Sequence, residues 1–335
     1  MTGAAILGCG GTVLTPDEAS FFRAANPLGL ILFQRNCESP DQIRRLVDDF
    51  RRAVGREDAP VLIDQEGGRV ARLKPPRWRA APAAERFGML ASRDRLSATE
   101  AVRLNAQLLA AELSALGITI NCAPVLDLRI SGASAGIGDR AFAEDAELVT
   151  ELGRAACEGY LDGGVLPVIK HMPGHGRALV DSHVGLPRIE VSLSELRRTD
   201  FVPFQRLRDM PWGISAHVVY ADIDSARPAT TSPTVISQCI RGDIGFDGVL
   251  VTDDLSMAAL SGSLGERVGA ALAAGCELAL HCNGKLAEMA EVAEAAGALG
   301  ARTNGRIERG ERLRLKGGAI DVAAATARLD AILAT

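Results

Sequence analysis

Apolar positions along the chain fall into two alternating patterns. Eight short runs are nearly continuous in apolar character: residues 4–7, 28–33, 60–63, 119–123, 166–169, 212–216, 248–251 and 278–281. Strands covered on both faces read this way, because neither face meets water. Between the runs lie stretches with helical periodicity. In residues 99–116, Val102, Leu109, Leu113 and Leu116 form one stripe with Leu104 and Leu108 beside it. Gly117 stands where a helix C′ residue is expected. Residues 41–54 and 264–274 are similar. Alternation of strand and helix up to eight strands predicts a parallel α/β protein, closed as a TIM-type (β/α)8 barrel in a single domain over residues 1–335. Such barrels take about 250 residues, so roughly 85 must lie in insertions or terminal helices. Two tracts can hold them: the Pro-, Arg- and Ala-rich residues 72–94, and a helical C-terminal tail from about residue 284. The tail is expected to break at Asn304-Gly305 and at Gly317-Gly318.

Composition narrows the class. The chain carries 37 Lys and Arg against 42 Asp and Glu, a formal net charge of −5, and 47% of it is apolar. Disordered chains combine low hydrophobicity with high net charge, so this one folds. Its acidic balance supplies no basic field for nucleic acid. No uncharged apolar run approaches the roughly 20 residues that cross a bilayer. The start lacks a basic and apolar leader pattern, so a cytoplasmic location without membrane insertion is expected. The seven cysteines (Cys9, Cys37, Cys122, Cys157, Cys239, Cys276 and Cys282) are odd in number and scattered, with no C-x-x-C pair. That pattern reads as small buried residues in a reducing compartment rather than a disulfide framework or a zinc site.

Polar residues interrupt the apolar runs at their C-terminal ends: Asp64-Gln65-Glu66 after the third, Lys170-His171 after the fifth, His217 after the sixth and Asp253-Asp254 after the seventh. In a barrel those ends share the rim where such enzymes carry their chemistry. Two adjacent carboxylates at a strand end must be solvated, paired or used. Asp253 is a candidate nucleophile of the kind retaining glycosidases employ. Asp254 either joins it or caps the following helix. Three of the five histidines fall within residues 170–183. A metal reading of His171 and His175, spaced i, i+4, needs a helix, and Pro173 with Gly174 opposes one. A polar loop with incidental histidines is the plain alternative to a working loop. Asp181 and His183, spaced i, i+2, point the same way in extended backbone. A carboxylate beside an imidazole orients it and stabilises its protonated form, which suits a general acid/base pair. Asp64 with Arg69 and Arg72 suits hydroxyl recognition, or else is a structural ion pair. Arg140 is either a binding residue or a surface charge. Aromatic residues are only 4% of the chain, which argues for a short charged pocket over a long carbohydrate platform.

Seen together, the motifs fall in a familiar order: Asp64-Gln-Glu-Gly-Gly-Arg69, Ala123-Pro-Val-Leu-Asp127, Ile137-Gly-Asp-Arg140, Lys170-His-Met-Pro-Gly-His-Gly176, Asp181-Ser-His183, Ser215-Ala-His217, Gly245-Phe-Asp-Gly-Val249 and Thr252-Asp-Asp-Leu255. From about Gly10 to Cys282 the chain resembles the β-N-acetylhexosaminidases of glycoside hydrolase family 3, of the single-domain, peptidoglycan-recycling type. The tail beyond carries no motif. The resemblance implies a TIM barrel that removes terminal non-reducing N-acetylglucosamine from GlcNAc-1,6-anhydroMurNAc muropeptides. It implies a retaining double displacement with no metal or other cofactor. Asp253 matches the nucleophile, His183 the acid/base and Asp181 its partner. Asp64, Arg72, Arg140, Lys170 and His171 match substrate-binding positions. Met172 and Cys122 stand where the family often has Phe. The expected partners are muropeptides containing N-acetylglucosamine, with no nucleic acid, and the expected state is a monomer.

The chemistry accords with those roles. An unperturbed Asp, at about 3.9, is ionised at pH 7, and a His, at about 6.5, loses and regains a proton near neutrality. Pro173, Gly174 and Gly176 precede His183 in its loop. His183 is therefore expected far from Asp253 without ligand and near it when sugar is bound. A neutral histidine does not repel phosphate, so phosphorolysis on the same site is an alternative to hydrolysis. A non-catalytic sugar-binding barrel is disfavoured, because both Asp253 and His183 are present.

Overall fold

The computed structural model describes residues 1–182 and 184–334. Its strands, in chain order, are β1 (Gly3–Leu7), β2 (Pro27–Leu32), β3 (Val61–Ile63), β4 (Ile120–Asn121), β5 (Leu166–Met172), β6 (Arg188–Ile189), β7 (Trp212–Ser215), β8 (Val219–Tyr220), β9 (Asp224–Pro228), β10 (Val249–Asp254) and β11 (Leu278–His281). Eight of them close into a barrel in the order β1-β2-β3-β4-β5-β7-β10-β11, with β11 pairing back onto β1. Every pair in the barrel is parallel. Each of the eight apolar runs is one of these strands. All positions of β2 and β5 are buried, as strands with both faces covered must be.

Two strands run past their apolar stretches. β5 continues to Met172, which pairs with Ser215, and β10 continues to Asp254, which pairs with Leu280. Lys170, His171, Asp253 and Asp254 are thus held in strand backbone at the barrel mouth, more rigidly than loop residues would be.

The helices follow their caps. Ser39 caps Pro40–Val54 by accepting from the Gln42 N–H, and Gly55 ends it at φ 66°. Arg95–Ser114 starts earlier than the periodic stretch because Asp94 accepts from the Ser97 N–H. Ser263 and Glu266 cap Leu264–Ala274 reciprocally.

Two expectations need correction. The tail consists of helices Leu286–Ala296, Ala301–Arg314 and Val322–Leu333. Asn304-Gly305 lies inside the second, and the break falls at residues 297–300 instead. A mid-helix Gly costs about 1 kcal/mol. Tertiary anchoring outweighs it: Arg306 is buried and pairs with Glu277 at 2.5 Å and with Asp247, and Thr303 donates to Glu277 at 3.3 Å. The break at Gly317-Gly318 is present. Nor is the surplus length confined to two tracts. The segments on either side of β7 also build a three-stranded sheet, β6-β8-β9, outside the barrel. Its two-residue strands β6 and β8 are too short to leave an alternating signature.

The seven cysteines are free thiols, six of them buried. Among the described residues, no helix is long and apolar enough to cross a membrane.

Candidate active site

The C-terminal ends of the barrel strands surround a cavity of about 260 Å3. Asp64 and Glu66 enter it from beyond β3, Lys170 and His171 from β5, and Asp253 and Asp254 from β10. Arg140 reaches it from the short turn Gly138–Arg140, and Arg72 from the loop after β3. Asp181 and Ser182, from the loop after β5, line the same cavity.

Its wall is a ladder of alternating charges. Buried Lys170 Nζ lies 2.9 Å from Asp64 Oδ1 and 2.7 Å from Glu66 Oε1. Arg72 Nη2 meets the other oxygen of Asp64 at 3.1 Å, with its guanidinium stacked 4.8 Å from the Phe33 ring. Arg140 grips Glu66 with two hydrogen bonds of 2.9 Å. Burial alone would drive these groups neutral, but each carboxylate faces cations on two sides. Glu66 is accordingly held down at about 2 by Lys170 and Arg140, and Asp64 is lowered by Lys170 and Arg72. The same carboxylates raise Lys170 against its burial.

Breaking such an array leaves an uncompensated buried charge. Glu66→Gln is expected to lower the unfolding free energy by about 3 kcal/mol at pH 7, measured by urea titration. A change under about 0.5 kcal/mol would show that the pair contributes nothing.

A second layer supports the first. Asp127 is fully buried and 2.6 Å from His171 Nδ1, and it accepts from the backbone N–H groups of His171 and His175. Arg140 Nη2 stands 3.5 Å from His171 Nε2. An ionised carboxylate can only accept, so His171 Nδ1–H donates to Asp127. His175 is also buried, with its Nε2 3.3 Å from Ser182 Oγ.

Burial pushes His175 down from 6.5 to about 4, so the folded ring stays neutral while the unfolded one charges. Between those values the unfolded chain binds one more proton, and stability falls as pH drops, by about 1.4 kcal/mol per pH unit. Glu66 adds the same sign lower down. Its contribution is complete above its ordinary 4.5 and is lost as pH falls towards 2. Urea titrations at pH 7 and pH 5 should show His175→Gln losing about 1–2 kcal/mol less than the wild type over that interval. Equal losses would contradict a neutral buried ring.

Asp253 Oδ1 accepts from the Asp254 N–H at 2.8 Å. Burial would raise its carboxyl, but Coulombic attraction to His171 and His217 in their protonated forms, that N–H and the Lys170 ammonium outweigh burial and hold it below its ordinary value. Asp254 is not a helix cap. It closes a local turn by accepting from the N–H and hydroxyl of Ser256, and it accepts from the Cys282 N–H at 3.2 Å. The next helix is capped by Ser263.

Asp64, Arg72, Arg140, Lys170, His171, Asp181 and Asp253 therefore share one cavity. Of the two arginines expected beside Asp64, only Arg72 pairs with it; Arg69 turns to the rim and binds Asp139 at 2.7 Å. His183, and with it the expected loop motion, lies outside the described residues. Glu66, Asp127, His175 and His217 join the site without being among the residues the sequence assigns to it. Glu66 carried a usable signal, since residues i and i+2 face one way in extended chain. Asp127 carried none beyond its motif. His171 and His175 do come together, with ring centroids 5.6 Å apart, but on a strand end and a loop. Among the described residues, no group of three or more His, Cys, Asp or Glu is arranged to hold a metal ion.

Comparison with known proteins accords with this geometry. Residues 17–312 match the glycosyl hydrolase family 3 N terminal domain. The chain is 42% identical over 286 residues to a beta-hexosaminidase of Pseudomonas aeruginosa, covering 84% of this chain and 83% of that one. It is 43% identical over 277 residues to a beta-hexosaminidase of Methylococcus capsulatus, covering 82% and 80%. The fold is similar to NagZ from Neisseria gonorrhoeae, solved in complex with N-trifluoroacetyl-D-glucosamine, with a TM-score of 0.88, 31% identity and coverage of 99% and 98%. It is also similar to a beta-N-acetylhexosaminidase from Beutenbergia cavernae, with a TM-score of 0.76, 26% identity and coverage of 99% and 96%.

Proposed function

Since the chain belongs to glycoside hydrolase family 3, we propose that it is a retaining, exo-acting β-N-acetylglucosaminidase that removes terminal N-acetylglucosamine from GlcNAc-1,6-anhydroMurNAc muropeptides. It acts as a cytoplasmic monomer. One observation carries this reading: Asp253, held ionised at the end of β10, opens onto the same cavity as the Asp64–Lys170–Arg72 cluster and Asp181. At about 260 Å3 that cavity sits below the roughly 300–1,000 Å3 of sites for drug-sized ligands, a size suited to one sugar ring.

In the first step Asp253 attacks the anomeric carbon while His183, oriented by Asp181, protonates the leaving oxygen. In the second, neutral His183 takes a proton from water, which attacks the glycosyl-enzyme and releases the sugar with its β configuration. Asp64 accepts from sugar hydroxyls while Lys170 and Arg72 keep it ionised. Arg140 and His171 offer further polar contacts.

The test is incubation with an aryl β-N-acetylglucosaminide, the corresponding β-glucoside and the GlcNAc-anhydroMurNAc disaccharide. The expected result is release of N-acetylglucosamine from the first and third, and little from the glucoside. Absence of release from the disaccharide would remove the peptidoglycan assignment. Absence from both would remove the N-acetylglucosaminidase reading.

A further inference from the structure

His217 follows β7 and is fully buried. Its Nε2 lies 3.0 Å from the Asp254 carbonyl oxygen, and its Nδ1 lies 2.8 Å from Thr230 Oγ1. A carbonyl can only accept, so Nε2 carries a proton. Burial favours the neutral ring and lowers its pKa despite the pull of Asp253 and Asp254. In a neutral ring Nδ1 must then accept, and the donor facing it is the Thr230 hydroxyl.

That commits the single proton of Thr230. The Ala216 carbonyl, at 3.1 Å, is the more distant competitor for it. Ser215 Oγ, 2.8 Å from Thr230 Oγ1, can then only donate to it. Behind Ser215 the Cys276 thiol stands at 3.7 Å. The donors run one way: Ser215 to Thr230, Thr230 to His217, His217 to the Asp254 carbonyl. The N–H of that same Asp254 donates to Asp253 Oδ1. Thr230 comes from the turn Ala229–Thr231 directly after β9. The small sheet outside the barrel is therefore wired to the barrel mouth.

We propose that Ser215 and Thr230 form a one-way hydroxyl relay that holds His217 as its Nε2–H tautomer, and that His217 thereby clamps Asp254 and sets the direction in which Asp253 faces the sugar. All three are positioning residues, and the inference rests on Asp253 as nucleophile. Dedicated donors rather than ordinary packing explain why two hydroxyls and an imidazole are buried in mutual hydrogen-bond contact.

Two measurements test it. Nitrogen-15 spectra of the imidazoles in the wild-type protein at pH 7 should show His217 protonated at Nε2 and bare at Nδ1. The opposite tautomer, or an imidazolium, would overturn the relay, and this readout needs no variant to fold. Thr230→Val removes the donor at nearly constant shape. Its kcat/KM should fall about 10- to 100-fold while the inhibition constant of N-acetylglucosamine moves less than about threefold, since misplacement costs reactivity more than binding. Thr230→Ser should restore kcat/KM to within about threefold of wild type. Wild-type kcat/KM in Thr230→Val, beside an inactive Asp253→Asn, would overturn the relay alone. An active Asp253→Asn would overturn the nucleophile reading instead.

Discussion

Asp253→Asn is expected to reduce turnover of an aryl β-N-acetylglucosaminide by about 10⁴- to 10⁶-fold, the scale on which loss of a nucleophile is felt. The amide oxygen can still accept from the Asp254 N–H, so the strand end keeps its shape. What is lost is the negative charge and the attacking lone pair. KM should stay within about threefold, because sugar hydroxyls are bound by other groups. Circular dichroism and the urea midpoint should match wild type. Activity within about tenfold of wild type would show that another group attacks.

Lys170→Met should damage both stability and activity. Lys170 is buried and bridges Asp64 and Glu66, so its removal leaves two carboxylates with one arginine each. Removing one partner of a buried ionic group typically costs about 3–5 kcal/mol. The unfolding free energy should fall by that amount at pH 7. Part of the loss should return near pH 4, where the freed carboxylates can take up protons. In protein that remains folded, kcat/KM should drop about 10²- to 10³-fold, because Asp64 is no longer fixed for the sugar hydroxyls. Lys170→Arg is not a conservative rescue, since a planar fork cannot occupy the place of a compact ammonium between two carboxylates. Urea titration of Lys170→Met at pH 7 and pH 4 checks the expectation. A loss that does not depend on pH would point to packing rather than charge.

The barrel is legible in the sequence because its strands are covered on both faces and show as continuous apolar runs. The site is legible because the third, fifth, sixth and seventh runs each end in charged or imidazole side chains at their C-terminal ends. What sequence spacing does not display is partnership. Lys170 meets Asp64 across 106 positions of chain, and nothing near either residue announces the other. Arg69 and Arg72 look equivalent in sequence, yet the turn at Gly67-Gly68 sends one to the rim and one to Asp64. Both glycines have positive φ, which that turn requires. Glu66 is legible in principle, because the i, i+2 pair Asp64 and Glu66 predicts two carboxylates on one side of an extended chain. Gly305 shows the opposite case. Its local propensity says break, and the buried Arg306 beside it overrides propensity by tertiary pairing. Thr230 offers no signal at all: a threonine in a polar turn acquires meaning only where the chain sets it against His217.

The central claim, a covalent intermediate on Asp253, can be measured directly by trapping. A 5-fluoro analogue of β-N-acetylglucosaminyl fluoride forms the glycosyl-enzyme faster than water clears it, and peptide mass mapping then locates the sugar. The account predicts one adduct, on the peptide containing residues 249–255, with the mass on Asp253. An adduct on Asp64, Asp181 or any other side chain would contradict it, as would release of the α-anomer as the first product.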